Sequence, residues 1–572
     1  MKQKQMVAYL LSAFLLIGFS SCNKSGTSEE ASTQQEQQEE KQQQTYKQPD
    51  TDSVFVFSYI KKYPAFEEQK EWMYKFYSDR NYRLAWFRNN QLLPEANRFL
   101  EVITKADKEG LNPEDYQVVD FSKMFAEFEN YKGPDSLKQK LQQEIDVALT
   151  ASYFNYADDF YKGALKPYKD KRVDWYVKKN KVKLHKTLQT ILKERESTYP
   201  YYQFEALHEG YTKLRDALQK YRTISEKGGW GEVDQVKLIE PGDTADAVVS
   251  LRKRLSAEYD LPVTKTPKLY DDKLVAAVKD FQERHGLEVD GKIGPGTVAM
   301  LNVPVEKRID QIIINMERWR WVPKRMTPKR LNQEYIFVNI PEYKLYVKEY
   351  DKSGKDKTLL EMRVIVGKTM NSTPIFSDKL EYVVMSPYWN VPKSIIVNEL
   401  KPGMLRNSNF LARQNMEVLN GYGRNAQVVS ASSIDWANLT KDDIKFQVRQ
   451  RPGPKNSLGM VKFIFPNEFD VYLHDTPADH LFNQTERGFS HGCVRVEKPV
   501  DLAEYLLRDQ PNWTRDRIKD AMQSGEEKYV NLKTKVQVYI VYFTSWVDSE
   551  GRVNFREDIY GHDKELEEAY FS

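Results

Sequence analysis

The sequence predicts an α+β protein of several domains, with helices in its first half and a mostly-β domain after residue 332. Its 572 residues suffice for three or four domains, and 40% of them are hydrophobic, enough for real cores. Apolar residues recur at helical spacing up to about residue 233, whereas short β-branched and aromatic segments dominate from residue 333. The net charge of +3 lacks the basic excess of nucleic-acid binders, so no nucleic-acid partner is expected.

The first 52 residues predict an export signal followed by a tether. Lys2 and Lys4 precede an apolar run at 6–19, which is too short to span a membrane comfortably. Small residues and then Cys22 follow, as at a lipid-attachment site. Residues 1–21 are therefore predicted to be a lipoprotein signal peptide, and Cys22 the lipidated anchor of an exported, periplasmic, membrane-anchored protein. Ordinary signal cleavage is the alternative. Residues 22–52 are polar and predicted to be a disordered tether.

Residues 53–235 are predicted to form a helical scaffold domain with no chemistry of its own. Apolar side chains recur at helical spacing through residues 137–161, as at Leu141 and Ile145. Gly110, followed two residues later by an Asn-Pro pair, indicates a helix end and a turn.

A compact unit at 236–303 has three short helical stretches. Val248 and Leu251 mark the first, and Asp271 or Asp272 can cap the second. Its segment AVKDFQERHGLEVDGKIGPGTVAMLN closely resembles the small three-helix peptidoglycan-binding domain. The resemblance implies that this unit binds cell-wall polymer; a spacer that does not bind is the alternative. A linker helix is predicted at 304–332.

Strands are predicted from residue 333 to the C-terminus. Residues 335–340 and 343–347 read as a hairpin, and 536–546 with 552–555 read as a closing hairpin in the C-terminal segment 510–572. Further strands are predicted at 362–366, 380–385, 461–465 and 471–474.

Residues 391–455 interrupt the strand pattern. This stretch is polar, Asn-rich and partly helical. An insertion of such length between strands is more often a lid or binding loop than inert, so a lid is predicted. Beyond it, Pro499 is predicted to open a helix.

The segment that indicates chemistry runs from His474 to Arg495. His474 ends an apolar strand, and fifteen residues separate it from the hexapeptide SHGCVR, residues 490–495. This resembles the signature of the YkuD-type L,D-transpeptidases, and MSPYWNVP and RQRPGPKNSLGMVKFIFPN extend the resemblance. With the scaffold and wall-binding unit, nearly all the mature chain resembles the large multidomain members of that family. The family fold implies a β-sandwich-like catalytic domain over 333–572 with a lid insertion.

The residues themselves suggest a thiol nucleophile. A thiol is mostly protonated at neutral pH, so Cys493 needs a base, and His474 can take its proton and return it to a leaving amine. Gly492 lets the backbone approach a substrate carbonyl, which makes the amides of Gly492 and Cys493 candidates for an oxyanion hole. Arg495 could bind a substrate carboxylate or pair with an acid in the fold.

Other residues near the motif are also predicted to belong to the site. Ser490 is predicted to contact substrate, and His491 to flank and orient the nucleophile. Tyr388 and Trp389 could form the wall of a peptide groove, with core packing as the alternative. The resemblance implies that the backbone carbonyl at Asp475 orients the ring of His474.

The resemblance also implies the reaction. The Cys493 thiolate attacks the third residue of a donor tetrapeptide stem, D-Ala leaves, and the amine of an acceptor stem resolves the thioester into a 3→3 crosslink. The expected partners are donor and acceptor stems, glycan and, through lipid, a membrane; no cofactor or metal is expected. An L,D-carboxypeptidase and a non-enzymatic wall-binding lipoprotein remain alternatives. Zinc bound by His474, His480, His491 and Cys493 is another, but the spacing matches no common zinc pattern.

Overall fold

The computed structural model describes residues 51–571 except 167–173, 178–181, 194–206, 327–333, 351–354, 422 and 424–425. The predicted signal peptide, Cys22 and nearly all of the predicted tether lie outside these residues. Within the described residues, no helix is both long enough and apolar enough to cross a membrane.

The first unit is helical, as predicted. Its longest helix, Asp135–Lys162, contains the predicted segment 137–161 and is buried through most of its C-terminal half. Gly110 has a φ of +71°, so the predicted helix end there is a left-handed turn. The helices of this unit are α1 Ser53–Lys62, α2 Lys70–Asp79, α3 Pro94–Thr104, α4 Phe121–Glu129, α5 Asp135–Lys162, α6 Leu184–Lys193 and α7 Glu209–Glu226; a small hairpin joins β1 Phe87–Arg88 to β2 Gln91–Leu92.

The second unit has three short helices around a core of its own. They are α8 Ala247–Leu255, α9 Asp272–Arg284 and α10 Pro295–Leu301. The side chain of Asp271 caps α9 by accepting a hydrogen bond from the Leu274 amide at 3.0 Å.

The predicted linker helix, α11 (Val305–Arg320), is buried rather than exposed between domains. It contacts all three parts of the chain: Glu317 accepts from the Leu165 amide at 2.8 Å, and the Gln311 side chain donates to the Arg556 carbonyl at 2.9 Å. A guanidinium nitrogen of Arg308 lies 2.8 Å from the sulfur of Met300. Its buried polar side chains are Arg308, Gln311, Asn315, Glu317, Arg318 and Arg320.

The C-terminal domain is built on nine strands, which confirms the predicted mostly-β class. In spatial order the strands are β13 (Gly488–Ser490), β5 (Asp356–Gly367), β14 (Val494–Val496), β12 (Leu473–His474), β11 (Val461–Ile464), β6 (Phe376–Met385), β15 (Lys528–Val541), β3 (Glu334–Asn339) and β4 (Lys344–Tyr350). The long strand β5 pairs with β4 through its first part and with β14 at 364–365. The sheet therefore closes on itself around the main hydrophobic core.

The predicted closing hairpin is only partly correct. The segment 536–546 is divided between β15, in the large sheet, and β16 (Ser545–Val547), which pairs with β17 (Val553–Phe555). The strand breaks because two backbone amides donate to side chains instead of to a neighbouring strand. The Phe543 amide donates to the Asn339 side chain at 2.8 Å, and the Thr544 amide donates to the Asn315 side chain at 2.9 Å. The helices here are α15 Pro499–Leu507, which begins at Pro499 as predicted, α16 Arg515–Gln523 and α17 His562–Tyr570.

The insertion at 391–455 has more regular structure than the sequence suggested. Its three strands and the preceding β7 (Trp389–Asn390) form an antiparallel sheet in the order β7, β10 (Phe446–Gln450), β8 (Met416–Asn420) and β9 (Gln427–Val429). The helical segments are α12 Lys393–Ile395, a π-helix Ile396–Leu400, α13 Lys401–Arg406 and α14 Phe410–Arg413. It has a separate hydrophobic core that includes Ile396, Leu411 and Trp436, here named the insertion core.

Candidate active site

Three neighbouring strands place Lys462, His474 and Arg495 in a row. Lys462 of β11 lies opposite His474 of β12, and His474 lies beside Arg495 of β14 in a parallel pair. The alternate residues Leu473 and Val494 belong to the main core, so the row faces away from it. By the same alternation, Cys493 shares this face and lies just before β14.

His474 is buried and held as a neutral base. Its Nδ1 lies 2.5 Å from the backbone carbonyl oxygen of Asp475, which can only accept, so Nδ1 carries the proton and Nε2 is the unprotonated nitrogen of the ring. Burial, together with the nearby positive charges of Arg495 and Lys462, lowers the pKa of His474 to about 3, against the opposing effect of the Asp475 and Leu458 carbonyls. At neutral pH the ring is therefore uncharged.

The orienting carbonyl is itself fixed by its own residue's side chain. The Asp475 carboxylate accepts hydrogen bonds from the Met460 and Thr476 amides, each at 2.7 Å. Gly459 lies against this carboxylate: a Cβ there would come within 2.3 Å of it, and the glycine φ is +60°. Any other residue at 459 would strain the backbone and displace Asp475.

The thiol of Cys493 is half-buried and protonated at rest. Burial raises its pKa to about 11, although the backbone amide and the hydroxyl of Tyr472 act in the opposite direction. The sulfur lies 3.8 Å from the Asp470 carbonyl oxygen. The ring of Tyr472 also packs against His474, with centroids 5.7 Å apart. Tyr472 therefore contacts both the nucleophile and the base.

No hydrogen bond among the described residues joins the ring of His474 to the thiol. The strand register accounts for this, because Leu473 lies beside Val494 and His474 lies beside Arg495, which leaves Cys493 two positions before the partner of His474. The base and the nucleophile are thus diagonal neighbours on one face. Such pairs often tighten only when substrate binds.

The turn before Cys493 is held by hydroxyl groups. Ser490 Oγ donates to the Cys493 carbonyl at 2.5 Å and accepts from the Gly492 amide at 3.2 Å. Thr373 Oγ1 donates to the Gly492 carbonyl at 2.8 Å. Gly492 has a φ of +115°, which only glycine adopts readily. The buried Ser490 thus shapes the loop, and the Gly492 amide is already engaged within it.

His491 lies against the insertion. Its Nε2 is 2.7 Å from Oε1 of Glu399, in the π-helix Ile396–Leu400. Both side chains are largely accessible, 39% for His491 and 51% for Glu399. This contact links the residue two before the nucleophile to the insertion.

The three remaining predicted site residues have different surroundings. Arg495 has a buried Nε with no hydrogen-bond partner among the described residues, and no acid of that part lies within ion-pair distance of it. Tyr388 donates its amide to Glu527 at 3.0 Å and stacks under the Arg449 guanidinium. Trp389 packs against the insertion core.

Sequence reasoning missed several residues that shape the site. Tyr472 could have been found, because it lies two residues before His474 and a strand repeats every two residues. Thr373, Gly459 and Glu399 gave no such signal, since each reaches the site from a distant part of the chain.

In the described residues, no group of three or more His, Cys, Asp or Glu side chains could hold a metal ion.

Comparison with protein families places three domains along the chain. Residues 71–218 match the family described as "Scaffold domain", residues 244–301 match "Putative peptidoglycan binding domain", and residues 333–538 match "L,D-transpeptidase catalytic domain", the YkuD family. The chain therefore contains a YkuD L,D-transpeptidase catalytic domain, preceded by a scaffold domain and a peptidoglycan-binding domain.

A Haemophilus influenzae protein described as "Putative L,D-transpeptidase" is 38% identical over 231 residues. The alignment covers 40% of this chain and 45% of that relative, so the chain matches less than half of its length. A solved L,D-transpeptidase from Stackebrandtia nassauensis is 13% identical, covering 54% of this chain and 96% of its own, with a TM-score of 0.19. A Bdellovibrio bacteriovorus structure is 15% identical, covering 43% and 58%, with a TM-score of 0.16. TM-scores this low do not establish a shared fold.

Proposed function

We propose that this protein is a peptidoglycan L,D-transpeptidase that forms 3→3 crosslinks through a thioester on Cys493. The observation that carries the proposal is the buried, neutral His474, with Nδ1 on the Asp475 carbonyl, one strand away from a half-buried thiol. Because the pKa of this thiol is raised, the base must take its proton as the donor carbonyl is attacked.

The first half-reaction releases D-Ala. His474 accepts the thiol proton, the sulfur bonds to the carbonyl carbon of the donor's third residue, and the C–N bond to D-Ala breaks. His474 then gives its proton to the leaving amine. The Cys493 amide stabilises the oxyanion, and the guanidinium of Arg495, which has no acid partner among the described residues, binds a donor carboxylate. In the second half-reaction an acceptor amine replaces the sulfur.

The direct test is mass spectrometry of muropeptides after the purified protein is incubated with tetrapeptide-bearing peptidoglycan. New 3→3 dimers support transpeptidation. Tripeptides without dimers would instead identify an L,D-carboxypeptidase. Unchanged muropeptides, with protein bound to the wall, would identify a binding lipoprotein without enzymatic activity.

The insertion is proposed to act as a mobile lid over the donor, which excludes water and favours an amine acceptor. Its separate core supports this, because an element with its own core can move as a unit. The two chain passages that join it to the sheet are tied together where the Asn456 side chain donates to the Pro387 carbonyl at 2.9 Å.

Trp436→Ala is expected to loosen the lid without unfolding the protein. Trp436 is buried in the insertion core, and loss of a buried aromatic side chain removes about 3–5 kcal/mol locally. Acylation by a small β-lactam should persist while crosslinking falls and hydrolysed product rises. Trp436→Phe, which keeps an aromatic ring, is the control. If acylation, crosslinking and the main thermal transition all collapse together, the insertion is part of the fold and the lid proposal is wrong.

Lipid attachment at Cys22 is proposed to anchor the protein at a membrane near the wall. Cys22→Ala should release the protein into the soluble fraction, because a multiply acylated cysteine binds membranes far more firmly than one chain does. Fractionation with mass analysis of the N-terminus measures this. Undiminished membrane retention would mean that the apolar run at 6–19 remains attached instead.

A further inference from the structure

Glu399 reaches the catalytic loop from the insertion at a rare backbone feature. The π-helix that carries it interrupts a helical stretch between α12 and α13, and such bulges occur often at functional sites. Ile396 and Leu400 of the same segment are buried in the insertion core, which fixes the segment from behind. The carboxylate is thereby directed at His491, 2.7 Å away.

The charges around Cys493 are unequal on its two sides. On the sheet side, Arg495 lies beside the buried His474 and presents positive charge, which suits the carboxylates of a donor stem, whereas Lys462 on the other flank is paired with Glu527 at 3.7 Å. On the loop side, the carboxylate of Glu399 beside His491 supplies the negative charge. Because both of these side chains are largely accessible, an incoming group can reach them.

The second substrate of the proposed reaction is an aliphatic amine. Such an amine has a pKa of about 10.4 in water, so it arrives as an ammonium and cannot attack until a proton leaves. It needs a negative site for binding and a nearby base. His474 is poorly suited to bind the ammonium, because it is buried between two cations.

We propose that Glu399 and His491 form the binding site for the acceptor's ammonium group and remove its first proton. This inference rests on the proposed transpeptidase function. Glu399 pairs with the ammonium, and His491 takes one proton as an imidazolium that Glu399 stabilises. The free amine attacks the thioester carbonyl carbon, so a C–N bond forms and the C–S bond breaks. The second amine proton passes through His474 to the Cys493 sulfur, and His491 returns its proton to water.

The experiment compares two nucleophiles on the same acyl-enzyme. Purified full-length protein is acylated with a tetrapeptide donor, and Cys493 adduct formation is followed by intact mass. The acyl-enzyme is then resolved either with a stem carrying a cationic side-chain amine or with hydroxylamine, which is uncharged at neutral pH. In Glu399→Gln, the cationic amine should react about 10- to 100-fold more slowly, the scale of one lost hydrogen bond to a charged group, while hydroxylamine changes by less than about 2-fold. Asp442→Asn, an exposed acid of the insertion, is the matched control and should match the wild type.

Each outcome decides between the alternatives. Selective loss of the cationic acceptor, with normal acylation, supports the site. Equal loss with both nucleophiles would show that Glu399 only holds the insertion in place, and unchanged rates with both would show that it has no role; either result overturns the inference. If the wild type forms no acyl-enzyme at all, the proposed function fails instead, so the two failures are distinguishable.

Discussion

Cys493→Ala is expected to abolish both the acyl-enzyme and the crosslinked product. No other residue on this face offers a comparable nucleophile, because Ser490 Oγ already donates to the Cys493 carbonyl. Loss of the sulfur removes the covalent step completely, so 3→3 dimers should fall below detection. Muropeptide mass spectrometry and intact-protein mass after β-lactam treatment measure the two effects.

The fold should survive this substitution. Cys493 is half-buried and the loop around it is held by Ser490 and Thr373, so the stability change should stay within about 1 kcal/mol. Cys493→Ser, which preserves shape and polarity, is the companion variant and should also be inactive. Full activity in Cys493→Ala would refute the mechanism.

His474→Ala should slow acylation by roughly two to four orders of magnitude, the usual range for a lost general base. The effect is large because the thiol pKa, at about 11, leaves almost no thiolate at neutral pH without a base. Stopped-flow acylation by a β-lactam measures the rate. His480→Ala, on an exposed residue outside the proposed machinery, is the control and should react as the wild type does. An unaltered rate in His474→Ala would mean that another residue activates Cys493, and His491 would be tested next.

The same arrangement predicts how the wild-type rate depends on pH. With a pKa lowered to about 3, His474 stays neutral and able to accept a proton as the pH falls from about 7 to about 5. Acylation should therefore be nearly constant over that range. A marked drop centred near the ordinary histidine pKa of about 6.5 would contradict a buried, neutral base.

The fold class and most elements of the β domain could be predicted because their signals are local. The helix 137–161 and the hairpin 335–347 follow from side-chain periodicity, which each segment carries by itself. The break in the predicted strand 536–546 could not be predicted in this way. It depends on hydrogen bonds that the backbone amides donate to Asn315 and Asn339, which are distant in sequence. The insertion's sheet was also missed, since its short strands carry many polar residues.

The sequence predicted which residues belong to the site, but not how their side chains interact with one another. The motif named His474, Cys493 and Arg495, and β12 and β14 place them close together. The low pKa of His474 comes from burial and from Arg495 and Lys462, which only the strand register brings alongside it. Glu399 and Gly459 reach the site only through the tertiary fold, so no local sequence pattern predicts their positions.

The buried helix α11 limits how freely this chain could exchange parts with its relatives. Arg318 pairs with Asp563 at 2.5 Å, and Arg320 pairs with Glu317 at 2.9 Å while also donating to the Tyr211 hydroxyl. A grafted catalytic domain lacking the counterpart of Asp563 would leave a buried cation without its partner, at a penalty of about 3–5 kcal/mol. Folded chimaeras must therefore keep this helix together with the surfaces that it contacts. The three domains can then be exchanged only as one unit.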